Sequence, residues 1–115
     1  MEFINLTPHP VNVVVDGEVV LTIEAEAHPA RVQEVVLPQE AVYSSDGSES
    51  VAVRVNRVGY SKDVTNLPAP QAGVGIIVSQ LAAQALPERS DLYFPHEVVR
   101  DATGRIIGCA ALAQL

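Results

Sequence analysis

The segment Val99-Arg100-Asp101, which is followed by Gly104-Arg105, has the clearest potential for ligand chemistry. A guanidinium group can hold a phosphate through two parallel hydrogen bonds, and a neighbouring carboxylate can accept hydrogen bonds from ribose hydroxyls or an exocyclic amine. A strand that ends at a turn would direct Arg100 and Asp101 into the same small space, so the pair suits a nucleotide-like ligand. The alternative, from these residues alone, is a hairpin turn with a local surface ion pair, which contributes little to stability.

Two other arginines are secondary candidates for binding an anion. Arg31 stands between Ala30 and Val32 in an apolar segment, and a cation there needs a partner, either an acid of this chain or an external anion. Arg89 follows the predicted helix, where the helix dipole favours a cation whether or not a ligand binds.

Catalysis and metal binding have little support in the sequence. Cys109 lies in the apolar segment Ile106–Ala111, which is typical of a buried structural thiol. Gly73-Val74-Gly75 lacks both the third glycine of a dinucleotide loop and the Gly-Lys-Ser/Thr ending of a P-loop. A metal site would require convergence with a carboxylate, which spacing does not suggest for the three histidines, His9, His28 and His96. We therefore predict no catalytic residue, no metal and no cofactor.

Composition limits the class of protein and of partner. A chain of 115 residues predicts one domain, residues 1–115, and 48% hydrophobic against 18% charged residues is a globular balance. The net charge of −7 argues against binding nucleic acid polymers or anionic lipid. The single cysteine suits a reducing compartment, and no apolar segment has membrane length, so we expect a cytoplasmic protein with no membrane association.

The first half of the chain predicts β-structure. Met1–Leu6 is a candidate strand, and Asp16-Gly17 between two apolar segments is a strong hairpin signal. Pro29–Leu37 predicts another strand, and Tyr43–Ser50 predicts a turn. Val51, Val53 and Val55 alternate with other residues, which is the period of a half-buried strand, and a further short strand or bend is expected at Gly59-Tyr60.

The second half predicts the helix. Gly73–Val78 reads as a strand, Ser79 can cap a helix, and Pro87 prevents its continuation. After the helix come Asp91–Pro95, a strand near Val98–Arg100, a turn at Asp101–Gly104 and a final strand from Arg105 to about Ala111. The predicted fold is α+β: a mostly antiparallel or mixed β-sheet with one short helix, about residues 79–86, packed on it.

Six sequence blocks, taken in their order along the chain, show a resemblance that covers nearly the whole chain. They are INLTPHPVNV at 4–13, ARV at 30–32, NLPAP at 66–70, GIIVSQLAAQAL at 75–86, ERSDL at 88–92 and VRDATGRIIG at 99–108. With these blocks the chain resembles the phage anti-Thoeris family of the first-described Thoeris anti-defence protein, whose members act as sponges for cyclic nucleotide signals.

The resemblance implies that the protein binds glycocyclic ADP-ribose from bacterial TIR-domain enzymes without cleaving it, and that cyclic trinucleotides are further candidate ligands. It also implies a homo-oligomer, a dimer or a hexamer, with pockets between subunits. Arg100 and Asp101 would contact phosphate and ribose, and Arg31, Gln84 and Arg89 would supply further polar contacts. Because this chain has Gly75 and Ile76 where the family often has an aromatic residue, base stacking would have to come from Tyr60, Tyr93 or Phe94.

Two other function classes remain open at this stage. A small phosphodiesterase would need histidines and carboxylates to converge. A protein-binding inhibitor or minor phage structural component would need a continuous acidic face. A sponge requires preformed contacts and does not require an activated nucleophile. These requirements fit the sequence better than those of an enzyme. The helix face of Leu81, Ala82, Ala85 and Leu86 is expected to pack either on a second subunit or on its own sheet.

Overall fold

A computed structural model describes residues 1–44 and 52–115. Over these residues it contains eight strands and one short helix, so the predicted α+β composition is confirmed in its coarse form. The elements are β1 Glu2–Asn5, β2 Val11–Val15, β3 Glu18–Ile23, β4 Arg31–Ser44, β5 Ala52–Thr65, β6 Val74–Ile77, α1 Gln80–Ala85, β7 Leu92–Arg100 and β8 Ile106–Ala113.

Six of the strands form one mixed sheet in the order β1-β6-β7-β8-β2-β3. The pairs β1–β6, β6–β7 and β2–β8 are parallel, whereas β2–β3 and β7–β8 are antiparallel. Parallel pairing of β6 with β7 requires a crossover, and α1 lies within that connection. The helix therefore packs over the sheet between two neighbouring strands.

The two edges of this sheet meet at Asn5. Asn5 forms a parallel bridge with Ala25, just after β3, and the Glu26 N–H donates to the Asn5 carbonyl at 2.9 Å. The sheet is therefore curled so that the end of its first strand contacts the segment that follows its last strand.

The Asn5 side chain is the polar centre of this junction and is fully buried at 0% exposure. Its amide nitrogen donates to the carbonyls of His9 at 2.8 Å and Ile23 at 2.9 Å. Its amide oxygen accepts from the Thr7 backbone N–H at 2.9 Å and the Thr7 hydroxyl at 2.6 Å. The Asn-Leu-Thr-Pro-His-Pro segment thus builds a corner of the fold.

The strands β4 and β5 form a separate antiparallel sheet, which we call the ribbon. In the part of the ribbon whose side chains are described, its base is attached to the main core, where Val32 and Val64 pack against buried residues. The ribbon therefore projects from the six-stranded sheet, consistent with a radius of gyration of 18.5 Å where a compact chain of this length has about 13 Å.

The core lies on the two sides of β6. Ile76 and Val78 face Ala82, Leu92 and Phe94, whereas Ile77 packs with Val11 and Cys109 on the other side. The helix contributes Ala82 and Ala83 to the first cluster, and Leu86 packs against it. Of the two expectations for the helix face, packing on its own sheet is therefore the observed one at these positions. No helix in the described part of the chain is long and apolar enough to cross a membrane.

The hairpin and the helix lie where short sequence signals predict them. The Asp16-Gly17 hairpin is confirmed, with φ of 51° and 79° at the two residues, the positive values that such a two-residue turn requires. The helix is also confirmed, because the Ser79 hydroxyl accepts from the Ala82 N–H at 3.2 Å and the helix ends at Ala85.

Three expectations were wrong in detail. The strand expected near Val98–Arg100 is longer than predicted: it is the end of β7, which begins at Leu92 and continues through Glu97 although φ is 57° there. Gly59 and Tyr60 lie inside β5, because pairing with β4 extends that strand to Thr65. Tyr43 belongs to β4 rather than to a turn; residues 45–50 of the predicted turn lie outside the described residues.

The contact between β2 and β8 depends on the absence of a side chain at Gly108. A Cβ atom at that position would lie 2.8 Å from Val14 Cγ2 and 3.0 Å from Asn12 Cβ, and still closer to the Asn12 carbonyl oxygen. Gly108→Ala is therefore expected to lower the free energy of unfolding by about 1–3 kcal/mol, as overpacking does. Urea denaturation would measure it, with the exposed neighbour change Ala110→Ser as control. Equal stability of Gly108→Ala and wild type would contradict this close approach.

Candidate functional site: a groove beside the helix

Two adjoining cavities border the exposed side of α1, and Leu81 lines both of them. The first has a volume of about 220 Å³ and includes Arg31 and Ser79 in its wall. The second has a volume of about 320 Å³ and is lined by Tyr60, Ser61, Lys62, Leu81, Gln84 and Ala85. We call the two cavities together the helix groove. They bring two of the predicted ligand residues, Arg31 and Gln84, to the same helix.

The base of the ribbon positions the polar groups of the helix groove. Arg31 opens β4 opposite Thr65, and Tyr60 in β5 lies opposite Glu34. The same ribbon base packs its Val32 and Val64 into the core below. The cations of the ribbon and the amide of the helix thus lie on elements that share a core, although these elements are distant in sequence.

The helix groove has unused capacity for an anion. Within residues 1–44 and 52–115, neither the Arg31 guanidinium nor the Lys62 ammonium lies within ion-pair distance of a carboxylate. The Tyr60 side chain is 52% exposed, which leaves a ring face and a hydroxyl accessible. Two cations, a phenol and an amide are the groups that phosphates, ribose and a base would use.

Tyr60 is also the best placed of the three predicted stacking residues. Phe94 is 5% exposed and belongs to the core. Tyr93 is half-buried and packs edge to face on Phe3, with ring centroids 5.1 Å apart. Gly75 allows this pair, because a Cβ there would lie 2.7 Å from a Phe3 ring atom. A flat ligand can therefore reach Tyr60 without displacing core residues.

Arg100 and Asp101 lie elsewhere, in the exposed turn between β7 and β8. One Asp101 carboxylate oxygen accepts from the Thr103 hydroxyl at 2.6 Å, the Thr103 N–H at 2.9 Å and the Arg105 N–H at 3.0 Å. The Arg100 guanidinium donates to the Gly104 carbonyl at 2.8 Å. The Thr103 hydroxyl, followed by backbone N–H groups, holds the pKa of Asp101 below its ordinary value. These contacts organise the turn, and neither residue lines the helix groove.

Arg89 has a structural partner in the loop after the helix. Its Nε donates to one Asp91 carboxylate oxygen at 2.8 Å, and its terminal Nη2 donates to the other at 2.8 Å and to the Pro68 carbonyl at 3.0 Å. The hydrogen bond raises the pKa of Arg89 and lowers that of Asp91. This fork joins the loop before β6 to the loop before β7. Ligand binding by Arg89 stays a prediction.

The Arg89–Asp91 pair predicts a pH dependence of stability. Because the pKa of Asp91 is lower in the folded state, its contribution is complete above the ordinary Asp pKa of about 3.9 and is lost as the pH falls through the lowered folded value. The stability difference between wild type and Asp91→Asn should therefore be constant above about pH 5 and shrink below about pH 4. Urea unfolding from pH 7 to pH 2 measures it. A difference that stays constant to pH 2 would contradict the assignment.

The three histidines do not converge on one site among the described residues. His9 lines a cavity of about 310 Å³ that also includes Cys109, whereas His28 lines a different cavity of about 590 Å³. His96 lies on β7 opposite Ala111. Cys109 is 3% exposed, as expected of a structural thiol. No group of three His, Cys, Asp or Glu side chains in the described part of the chain could hold a metal ion.

Sequence reasoning missed Lys62 as a site residue. The available signal was that the chain has a single lysine, two positions after the exposed Tyr60. In a strand, residues two apart share a face, so the pair could have been grouped with each other. Their proximity to Gln84 could not have been inferred, because it depends on how the ribbon meets α1.

Comparison with known proteins adds no relative: no family, no curated protein and no solved structure matches the chain.

Proposed function

We propose that the protein is a phage anti-defence sponge that binds a cyclic nucleotide immune signal and releases it chemically intact. The ligand class is the one implied by the sequence resemblance, glycocyclic ADP-ribose from TIR-domain enzymes, with cyclic oligonucleotides as a second class. On this proposal the protein is not an enzyme and acts in the cytoplasm of the infected bacterium.

The observation that supports the proposal most is the composition of the helix groove. Arg31 and Lys62 lack carboxylate partners among the described residues, in a chain whose net charge is −7. Unpaired cations in an acidic protein attract a discrete anion, and the phosphates of the signal would occupy them. Tyr60 would stack on the base, and the Gln84 amide would hydrogen-bond to ribose or base.

The helix groove is large enough for a small molecule, and an oligomer would enclose it further. Its two parts have volumes of about 220 and 320 Å³, which together fall within the range of about 300–1,000 Å³ for small-molecule sites. A sponge must bind below about 1 μM, or more than about 8 kcal/mol. In the expected dimer or hexamer, walls from a second subunit would cover the exposed side of the groove and add contacts.

Arg100 and Asp101 are included in this proposal as a second ligand contact outside the helix groove. The turn that holds them is exposed. The Arg100 guanidinium donates to the Gly104 carbonyl, and most of its other N–H groups remain available for a ligand. In an oligomer, such a turn can complete a pocket of a neighbouring subunit. Whether it does so is decided by the variants discussed below.

A protein-binding function is the second candidate, because the ribbon exposes apolar side chains. Val36 is 62% exposed and Val53 is 43% exposed, and uncovered apolar surface of this kind marks an interaction site. An inhibitor or minor phage structural component would bind its target through the ribbon and would carry no small molecule after purification.

Isothermal titration of the pure protein with glycocyclic ADP-ribose isomers and with cyclic trinucleotides tests the sponge. The mass of the ligand released by heating the complex, measured by mass spectrometry, then distinguishes capture from cleavage. The expected result is submicromolar binding and recovery of the unchanged ring. Absence of binding to both ligand classes, or recovery of a linear product, would overturn the proposal.

A further inference from the structure

We propose that the helix groove continues past Ser79 into a third cavity, and that the protein thereby also binds an open-chain dinucleotide whose two bases flank a diphosphate. The third cavity takes the second base as an uncharged ring. The inference rests on the helix groove of the proposed function and extends it to a ligand class that the cyclic signals do not include.

The third cavity, which we call the corner cavity, lies beside the corner that contains Thr7 and His9. Its volume is about 310 Å³, within the range of about 300–1,000 Å³ for small-molecule sites. Val11 and Cys109 line it and are buried, whereas Val98, which lies opposite Cys109 on the neighbouring strand, lines it and is 59% exposed. A flat ring can therefore pass from solvent onto buried apolar surface without displacing core residues.

The absence of charge distinguishes the corner cavity from the helix groove. Among the described residues, none that lines it is Asp, Glu, Lys or Arg, whereas Arg31 and Lys62 line the two parts of the groove. Burying a phosphate without a cation is costly, but burying an uncharged heterocycle is not. The His9 imidazole and the Ser79 hydroxyl also line the corner cavity and can hydrogen-bond to the edge of a ring. The expected occupant is therefore a base.

The corner cavity adjoins the helix groove. Ser79 lines both the corner cavity and the part of the groove that contains Arg31, and Leu81 lines both parts of the groove. Pro8 and His9 are neighbours in the chain, yet Pro8 lines the groove and His9 lines the corner cavity. Pro8 and Ser79 are exposed, so a ligand can cross this border along the protein surface.

The order of the chemical groups along the three cavities predicts the order of groups in the ligand. The corner cavity offers apolar walls, the middle cavity offers Arg31 and Ser79, and the far cavity offers Tyr60 and Gln84. The Ser79 hydroxyl oxygen accepts from the Ala82 N–H at 3.2 Å, which leaves its hydrogen free to donate to a phosphate. A base, a phosphate bridge and a second base, in an extended molecule, match this order.

Isothermal titration with diadenosine diphosphate and with ADP-ribose tests the inference. Both compounds contain a diphosphate between two riboses, and only the first carries a second adenine. The wild-type chain should bind diadenosine diphosphate about tenfold or more tightly than ADP-ribose, because stacking and burial of one base contribute about that much.

Val98→Glu locates the second adenine in the corner cavity. A carboxylate at this exposed position must stay hydrated, so the two affinities should come within about threefold of each other. Val36→Glu makes the same change at an exposed ribbon position that lines none of the three cavities. This control should keep the wild-type ratio of affinities.

Cys109 gives a second measurement that requires no variant, because it is the single cysteine of the chain and lines the corner cavity. Saturation with diadenosine diphosphate should slow the modification of Cys109 by a small thiol reagent by about tenfold or more relative to saturation with ADP-ribose, since the bound base covers the sulfur. Equal modification rates would mean that the second base lies elsewhere and would overturn the inference.

Equal affinities for the two compounds, absence of binding of both, or a ratio that Val98→Glu leaves unchanged would also overturn it. Titration with glycocyclic ADP-ribose separates this inference from the proposed function. If the cyclic signal binds and the second adenine adds no affinity, the inference alone fails. If the second adenine adds affinity and the cyclic signal does not bind, the sponge fails and the inference stands.

Discussion

Asn5→Ala is expected to lower the free energy of unfolding by roughly 3–5 kcal/mol, the range of the most damaging single changes. The amide of Asn5 makes four hydrogen bonds at 0% exposure. Truncation removes all four and leaves the carbonyls of His9 and Ile23 without that donor in a part-buried site. Because the same residue joins the two edges of the sheet, its loss also loosens the segment after β3. Such a loss is a large fraction of the stability of a small domain, about 5–15 kcal/mol.

Urea denaturation at pH 7 measures this effect, and Asn12→Ala provides the matched control. Asn12 is half-buried, accepts from the Thr22 hydroxyl at 2.8 Å and donates a long bond of 3.4 Å to the Ile107 carbonyl. Its replacement should cost about 1 kcal/mol. If Asn5→Ala were no more damaging than Asn12→Ala, the junction of the sheet edges would not depend on the Asn5 amide.

The second large effect is expected on ligand capture. Arg31→Ala and Lys62→Ala should each weaken binding of the cyclic nucleotide signal by about 10- to 100-fold, because a hydrogen bond to a charged group contributes about 1.5–3 kcal/mol. Both side chains are exposed, so folding should be retained and the loss should appear in the titration alone. Arg57→Ala removes the same charge from an exposed position outside the helix groove and should leave affinity unchanged.

Arg100→Ala separates the helix groove from the β7–β8 turn as the place of binding. Full loss of capture in Arg100→Ala with little effect of Arg31→Ala would place the ligand at the turn, as the resemblance implies. Loss in both would mean that the turn of one subunit completes the groove of another. No effect of Arg31→Ala and Lys62→Ala would contradict the helix groove as the site.

The local elements of the fold were readable because short-range chemistry specifies them. Asp16-Gly17 permits the positive φ values of the hairpin, and Ser79 and Pro87 bound the helix. The failures came from pairing over longer distances. Gly59-Tyr60 reads as a short strand or a bend, yet both residues lie inside β5, a strand of fourteen residues that pairs with β4. A local pattern does not report how far a partner strand extends.

The candidate site was only partly predictable for the same reason. Arg31 was identified as a cation in an apolar segment that needs a partner, and the structure leaves it without a carboxylate among the described residues. The turn expected after Arg100 is confirmed, and Arg100 and Asp101 both make hydrogen bonds to residues of that turn. That Arg100 and Asp101 bind the same ligand as Arg31 and Gln84 stays a prediction. In the described subunit the first pair lies at the β7–β8 turn and the second at the helix groove.

The sequence by itself determined the coarse class of the fold, the hairpin, the capped helix and the inventory of cations, because each depends on residues close together in the chain or on composition. The tertiary structure alone decided that Asn5 joins the sheet edges, that the ribbon stands apart with both faces exposed, and that Lys62 and Tyr60 meet Gln84 beside the helix. Those facts depend on contacts between residues far apart in sequence, whose free energy is gained only when the whole sheet has formed.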